Sequence, residues 1–195
     1  GGSFQRPRLD PAKDVAFLVY SSGTTGHPKG VMISHQNVVA AVVLQSAVDA
    51  SHINWQTDRI LAVLPVYHIY GNHLKCFYSP IAKDSIGLIC LVHLPVYLGI
   101  TTVYMDKFDL RRFSYLIQKH RLTHAYAAPP IVLHLAKNSL VDEYNLRSLR
   151  MITSGGAPLA AHLIKELYQR RQLPVRQAYG LSETTSVSHI QVSGC

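Results

Sequence analysis

The second half of the chain alternates short apolar segments with segments of helical pattern, and this alternation constrains the fold more than any other feature. Strand patterns at 101–105, 124–128, 149–153 and 175–178 are separated by helical patterns at 110–120, 129–137 and 159–171. Strands that alternate with helices form βαβ units, in which the strands lie parallel. The sequence therefore predicts an α/β fold, a largely parallel sheet flanked by helices on both faces.

The first half also alternates, but less regularly. Apolar segments at 15–20, 31–34 and 60–64 predict strands, and Ser34 is a suitable N-cap for a helix over 35–50. This helix is apolar on nearly every face, so we expect it to be buried between layers. The chain has 195 residues, of which 48% are hydrophobic and 15% charged, which is enough for one folded domain with a sizeable core.

A glycine-rich segment follows the first predicted strand, at 21–30. Glycines allow close backbone approach, while hydroxyls and an ammonium group supply donors for an anion. The candidate polyphosphate ligands are Ser21, Ser22, Gly23, Thr24, Thr25, Gly26 and Lys29. The segment is not a Walker A loop, because Pro28 and Gly30 replace the glycine and the hydroxyl that this motif requires. Taken alone, it could equally be an ordinary turn with a solvated lysine.

Further motifs follow other predicted strands. They are the segments 64–71 (LPVYHIYG), 154–158 (SGGAP) and 177–185 (QAYGLSETT). Ligands of parallel α/β sheets bind beyond the carboxyl ends of the strands, so these loops and the glycine-rich loop can line one cleft.

The four motifs, in this order, resemble those of the adenylate-forming enzymes, which include acyl-CoA synthetases, 4-coumarate-CoA ligases, luciferase-like proteins and peptide-synthetase adenylation domains. The residues at 68–71 and the glycine-rich segment favour the 4-coumarate-CoA-ligase-like branch. The resemblance implies part of the large N-terminal domain of that fold. It also implies a reaction in which an aryl or fatty carboxylic acid attacks ATP to give an acyl-adenylate and then a CoA thioester, with ATP/AMP, Mg²⁺ and CoA as cofactors and co-substrates.

The resemblance also assigns roles to residues. Lys29 and the hydroxyls of the glycine-rich segment would bind phosphate, Glu183 would bind Mg²⁺, and His68 would lie near the acid; His68, Lys29 and Glu183 are thus the catalytic candidates. The adenine would bind against Tyr179, and the other nucleotide contacts would be Gly156, Ala157, Gly180 and Ser182. Structural alternatives remain: His68 as a hydrogen-bonded structural residue, Tyr179 as a packing aromatic, and Glu183 as an exposed residue beside a following helix.

Charge and cysteine usage exclude some other classes. The net charge is +8, but the basic residues are scattered and do not alternate with aromatic residues as in a nucleic-acid-binding surface. The three cysteines have neither disulfide-framework nor zinc-site spacing, which predicts an intracellular protein, cytoplasmic or peroxisomal. The most apolar stretch, 86–105, is interrupted by His93, Pro95 and Gly99, so it predicts a buried helix and strand and no membrane span.

Two parts of the sequence depart from the family pattern. Residues 72–87 read as an atypical insertion, either a retained intron or a lineage-specific segment. The ribose-binding aspartate, hinge and lysine-bearing small C-terminal domain of the family have no counterpart in the sequence. We therefore expect an extended lead (1–14) and a partial N-terminal domain (15–195) with little activity alone. A catalytically inactive nucleotide-binding remnant and a peptide-synthetase-type adenylation domain are the alternatives.

Overall fold

The computed structural model describes residues 8–21, 29–63, 81–82 and 85–191. Its strands form two sheets. The larger has the order β5-β3-β6-β7-β8-β9 and the smaller has the order β2-β1-β4. The strands are β1 (Val15–Ser21), β2 (Lys29–Ser34), β3 (Arg59–Ala62), β4 (Ile81–Ala82), β5 (Thr101–Tyr104), β6 (His124–Ala127), β7 (Met151–Ser154), β8 (Val175–Leu181) and β9 (Ser186–Ile190).

The larger sheet is parallel from β5 to β8, with β9 antiparallel at its edge. Successive side chains of β3 point to opposite faces: Leu61 packs into the main core, whereas Ile60 and Ala62 pack into a second cluster. The main core is covered by α4 (Leu110–His120), α5 (Pro129–Lys137) and α6 (Ala161–Arg171). A 3₁₀ helix (Ser139–Glu143) follows α5.

The other face of the larger sheet is covered by a continuous helical segment. It comprises α2 (Ser85–Leu88), a π-helical turn (Ile89–His93) and α3 (Leu94–Leu98). Cys90 and Leu91 of this segment pack on the larger sheet, whereas Ile89 and Leu94 pack towards the smaller one. The segment therefore lies between the two sheets, and helices cover both faces of the larger sheet, as predicted.

Helix α1 (His35–Asp49) also packs on the smaller sheet, through Val38 and Val42. Ser34 caps it by accepting a hydrogen bond from the Asn37 backbone N–H at 3.2 Å. Its opposite side is open, because the side chains of Val39 and Leu44 are 62% and 69% exposed. The prediction that this helix is buried between layers is therefore wrong for that side. Within the described residues, no helix is long and apolar enough to cross a bilayer.

The smaller sheet changes the expected setting of the glycine-rich loop. Strands β1 and β2 pair antiparallel, with Ser21 opposite Lys29, so the loop connects a hairpin and does not follow a strand of the large parallel sheet. Ile81 and Ala82, within the predicted insertion, pair with β1 as a third, parallel strand. The described part of this segment thus belongs to the folded sheet and to the start of α2.

Candidate functional site

The turn after β7 carries the SGGAP motif, and its two glycines are needed for different reasons. A Cβ on Gly155 would lie 2.9 Å from the carbonyl oxygen of Ala178 in the neighbouring strand. Gly156 has open space around it but a φ of +82°, in the region that L residues avoid. The motif therefore brings the backbone of this turn close to β8 and then turns it outward.

Strand β8 continues three residues past its predicted end at Ala178, because β9 pairs with it. Tyr179 pairs with His189 and Gly180 with Val187, and the register shifts between the two pairs. A Cβ on Gly180 would overlap the carbonyl oxygen of Ser186, so this irregularity requires glycine. The first part of this motif, up to Leu181, is thus a strand and not a loop.

Glu183 lies in a 3₁₀ turn, Ser182–Thr184, which joins β8 to β9, so the structural alternative that placed Glu183 beside a following helix is wrong. The Leu181 N–H donates to Thr184 Oγ1 at 3.0 Å and closes the turn. Thr185 then adopts φ +56°, which is uncommon for a β-branched residue. Both β1 and β2 contact this turn, so the glycine-rich hairpin and Glu183 belong to one region of the surface.

A cavity of about 620 Å³, here named the edge cavity, lies between the SGGAP turn and the β8–β9 edge. Gly156, Ala157, Tyr179 and Gly180 all line it. The side chain of Tyr179 is 59% exposed, and its ring centroid lies 6.2 Å from that of His189. The structure thus brings together four of the predicted nucleotide-binding residues around one opening.

A second cavity, of about 570 Å³ and here named the apolar cavity, adjoins the first. Gly156, Ala157, Ala178 and Ile190 line both cavities, so the SGGAP turn borders two neighbouring spaces. Most of its wall is hydrophobic, with contributions from Val63, Phe108, Tyr126, Ala128, Pro129, Ile131 and Val187. A ligand with a polar end at Tyr179 and an apolar end in the second space would fit this pair.

A buried polar cluster lies against the apolar cavity. Asp49 and Arg176, which are 0% and 5% exposed, form an ion pair with an N–O distance of 2.7 Å. Asp49 also accepts from Gln45 Nε2 at 3.0 Å and from the Tyr126 hydroxyl at 3.5 Å. Arg176 donates as well to Thr153 Oγ1 at 3.1 Å. Gln45, Tyr126 and Thr153 of this cluster line the cavity wall.

Burial controls the protonation of Tyr126 and of the nearby Cys90. It raises the pKa of Tyr126 well above its usual value, and the Asp49 charge raises it further, so the phenol stays protonated and donates. Burial also raises the pKa of the Cys90 thiol to about 12, partly offset by its contact with Ser186 at 3.7 Å. Cys90 is therefore a neutral thiol at physiological pH.

The mouth of the apolar cavity carries opposite charges. Asp106 and Lys107 both line it and both are exposed. Asp106 is paired with Arg112 at 3.1 Å, whereas no acidic partner lies within ion-pair distance of Lys107 in the described residues. Lys107 thus adds positive charge at the opening.

The remaining predicted residues are only partly placed. Lys29 is exposed at the first position of β2 and pairs through its backbone with Ser21. Ser182 is half-buried and Glu183 exposed in the 3₁₀ turn. In the described part of the chain, no three His, Cys, Asp or Glu side chains cluster as a metal site, so Glu183 offers a single carboxylate. The other candidates lie outside the described residues: Ser22, Gly23, Thr24, Thr25, Gly26 and His68.

Sequence reasoning missed Gln45, Asp49, Lys107, Thr153 and Arg176. One signal was available, because Arg176 is a charged residue within a predicted strand, and a charge that is buried there needs a partner. The partner could not be identified, since Asp49 and Arg176 are 127 residues apart in the chain.

Comparison with known proteins identifies the family of this chain. The family model described as "AMP-binding enzyme" matches residues 3–194. A probable 4-coumarate-CoA ligase 1 of Dictyostelium discoideum is 34% identical over 197 residues, covering 100% of this chain and 32% of its own length. The chain therefore spans about a third of the length of the curated relatives it matches.

Solved structures confirm the predicted fold class. A red-emitting luciferase from Phrixothrix hirtus is 33% identical with a TM-score of 0.74, covering 96% of this chain and 32% of the luciferase. An O-succinylbenzoate coenzyme A synthetase of Bacillus subtilis, solved with ATP and magnesium, is 28% identical with a TM-score of 0.72. The match covers 92% of this chain and 33% of the synthetase chain.

Proposed function

Because this chain belongs to the family of AMP-binding enzymes, we propose that it is part of an ATP-dependent acid-CoA ligase. Such an enzyme converts a carboxylic acid, aryl or fatty, first to an acyl-adenylate and then to a CoA thioester. The observation that carries the proposal is the pair of adjoining cavities that share the SGGAP turn. An acyl-adenylate has the same division, an apolar acyl part joined through a phosphate to a nucleoside.

The edge cavity is the proposed nucleotide site. Tyr179 presents an exposed aromatic face on which adenine can stack, and Gly156, without a side chain, leaves the opposing backbone open. Gly180 is required for this site, because only glycine permits the strand irregularity that places Tyr179 at this edge. The 4-coumarate-CoA ligase and synthetase relatives support this assignment.

The reaction proposed for the site needs charge neutralisation more than a protein nucleophile. A carboxylate oxygen of the acid attacks the α-phosphorus of ATP, a new oxygen–phosphorus bond forms, and the bond to pyrophosphate breaks. Lys29, exposed at the base of the hairpin, can bind the departing phosphates. The CoA thiol then attacks the acyl carbonyl carbon, and AMP leaves.

Mg²⁺ binding requires few protein ligands when phosphate is present, because the ion keeps several waters and often takes only one or two carboxylates. The single exposed carboxylate of Glu183, in the turn that contacts the hairpin strands, fits such a site. The ion would supply positive charge to the phosphates. Lys107 at the mouth of the apolar cavity would attract the anionic acid and CoA.

Titration calorimetry of this chain with AMP, MgATP and a non-hydrolysable acyl-adenylate tests the proposal. We expect binding, and we expect Tyr179→Ala to weaken it about tenfold through lost stacking. Tyr168→Ala is the matched control, because Tyr168 is a 50% exposed tyrosine on α6 outside both cavities. We expect Glu183→Gln to weaken binding of MgATP but not of AMP.

ATP–pyrophosphate exchange with a panel of aryl and fatty acids separates catalysis from binding. Binding with exchange supports a ligase, and binding without exchange favours a nucleotide-binding protein with no activity in this chain alone. Failure of all three ligands to bind, with the chain folded, would contradict the proposed function.

A further inference from the structure

A third cavity, here named the basal cavity, lies at the opposite end of the larger sheet from the SGGAP turn. It has a volume of about 390 Å³ and lies between the segment 144–149, which precedes β7, and the segment 170–173, at the end of α6 and before β8. The SGGAP turn follows the other end of β7, whose four residues separate the two by about 13 Å. The basal cavity is therefore distinct from the edge cavity and the apolar cavity.

Three arginines line the basal cavity, and they outnumber the acidic groups beside them. Arg147 is exposed and belongs to no ion pair of the described residues. Arg170 and Arg171 share the single carboxylate of Asp142. Glu143, the next acid along the chain, is paired with an arginine of α4. The wall of the cavity thus has two positive charges more than Asp142 balances.

Several N–H groups of this wall have no partner within the part of the chain that the structure describes. Arg171 donates from Nε to the carbonyl oxygen of Leu135 at 3.1 Å and from Nη2 to Asp142 at 2.7 Å, which leaves its Nη1. Asn145 Oδ1 accepts from the Arg147 backbone N–H at 3.1 Å, so the NH₂ group of Asn145 is left to donate. The guanidinium group of Arg147 adds further donors. The wall can therefore surround an acceptor-rich anion.

The end of α6 would ordinarily oppose an anion, because carbonyl oxygens point outward from a helix C-terminus. In this chain the Tyr168 carbonyl oxygen accepts from the backbone N–H of Gln172 at 2.8 Å and from its Nε2 at 3.1 Å. Gln172 adopts φ +53°, the left-handed conformation that closes the helix. Arg170 and Arg171 lie in the last turn, so their charges offset the negative end of the helix.

The walls of the basal cavity are held in place by contacts with neighbouring helices. Arg170 donates to the carbonyl oxygen of Ala136 on α5 at 2.6 Å, and the side chains of Arg170 and Arg171 are only 28% and 13% exposed. On the opposite wall the Asn145 backbone N–H donates to Gln118 Oε1 on α4 at 2.6 Å. A site whose donors are fixed before binding loses less conformational entropy when a ligand enters.

We infer that the basal cavity binds a small phosphate-bearing anion, at a site separate from the nucleotide site. A phosphate monoester carries about two negative charges at neutral pH, which equals the charge that Asp142 leaves unbalanced. Guanidinium groups also match the geometry of phosphate oxygens. A monocarboxylate would balance only one of the two charges. The inference does not rest on the proposed function, because no residue that lines the basal cavity also lines the other two.

Amide NMR spectra of the ¹⁵N-labelled chain, titrated with inorganic phosphate at low ionic strength, test the site directly. We expect saturable shifts of the amides at 144–149 and 170–173, with a Kd below about 1 mM. Acetate serves as the monocarboxylate probe, and we expect it to bind about tenfold more weakly because it carries one charge. Equal affinities for acetate and phosphate would overturn the assignment of a phosphate ligand.

The variant Arg147→Gln removes one positive charge from the basal cavity at an exposed position, so the hydrophobic core stays intact. We expect it to weaken phosphate binding about tenfold, because charge-assisted hydrogen bonds are lost. Arg147→Lys keeps the charge without the planar fork and should lose less. The matched control is Arg121→Gln, since Arg121 is an exposed arginine directly after α4 that does not line the basal cavity.

Three results overturn the inference. The first is the absence of saturable shifts at 144–149 and 170–173 in a folded chain. The second is a set of shifts confined to the amides near Lys29 and Glu183, which would place the phosphate in the nucleotide site. The third is an equal loss of affinity in Arg147→Gln and Arg121→Gln, which would mean that phosphate responds to the net charge of the chain. None of these results bears on AMP binding at Tyr179, so the proposed function is tested independently.

Discussion

Two clusters of aspartate and arginine link distant segments of this fold, and they differ mainly in their access to water. Asp49 and Arg176 are 0% and 5% exposed and join α1 to β8 beneath the apolar cavity. Asp142 is 56% exposed and joins the 3₁₀ helix after α5 to Arg170 and Arg171 at the end of α6. Geometrically the two are similar, since Arg176–Asp49 and Arg171–Asp142 both measure 2.7 Å.

The two clusters differ in whether water could solvate each charge if its partner were removed. Water replaces the lost contacts of Asp142, but nothing replaces those of Asp49, so each buried charge depends wholly on the cluster. The surface arginines also have other roles: Arg170 and Arg171 donate to the carbonyl oxygens of Ala136 and Leu135 near the end of α5. The buried pair is thus a poor source of net stability but a strict constraint on the arrangement beneath the cavity.

The largest effect is expected from Arg176→Met, which leaves Asp49 buried without its cation. We expect a loss of about 3–5 kcal/mol in the free energy of unfolding, measured by urea denaturation. The double variant Asp49→Leu/Arg176→Met removes both charges and should be more stable than the single variant. A loss below about 1 kcal/mol for Arg176→Met would show that water reaches Asp49.

The second largest effect is expected from a steric change, at a glycine where the neighbouring strand leaves no room for a side chain. Gly180→Ala places a Cβ against the carbonyl of Ser186 and the backbone of Val187, so β9 must move away from β8. We expect a loss of about 3 kcal/mol and weaker nucleotide binding. The matched control is Gly30→Ala, whose Cβ would meet only the Tyr20 ring at 3.9 Å, an ordinary contact. Equal losses for both variants in thermal unfolding would contradict this prediction.

The features predictable from sequence were those set by near neighbours. Ser34 caps α1, and Pro129 begins α5, because caps and prolines act on the adjacent turn. Features set by distant pairing were not predictable. Strand β8 runs to Leu181 only because β9 pairs with it, and the smaller sheet exists because β1 pairs with β2 and β4. The nucleotide candidates could be assigned by resemblance, whereas the cluster beneath the apolar cavity depends on contacts between distant segments.

A smaller effect is expected at a buried group that carries no charge. Ser114, on α4, is 0% exposed, and its hydroxyl has no hydrogen-bond partner among the described residues. Ser114→Ala removes an unsatisfied polar group and introduces a better helix former, so we expect a gain of about 1 kcal/mol in unfolding experiments. A clear loss of stability would mean that the Ser114 hydroxyl has a hydrogen-bond partner. This buried polar group would then depend on its partner as Asp49 depends on Arg176.

The smallest effect is expected at the surface cluster, from Asp142→Asn. The hydrogen bond from Arg170 lowers the pKa of Asp142 below its ordinary value of 3.8, with Arg171 adding to the shift. A lowered carboxyl pKa stabilises the fold fully above 3.8, and this contribution is lost as the pH falls through the lower folded value. The variant should therefore differ from the wild type only slightly at neutral pH, and the difference should vanish in strong acid and in 1 M salt. Thermal melts at several pH values and salt concentrations measure this difference. A difference that persisted in 1 M salt would mean that Asp142 is shielded from solvent like Asp49, and the contrast between the two clusters would be lost.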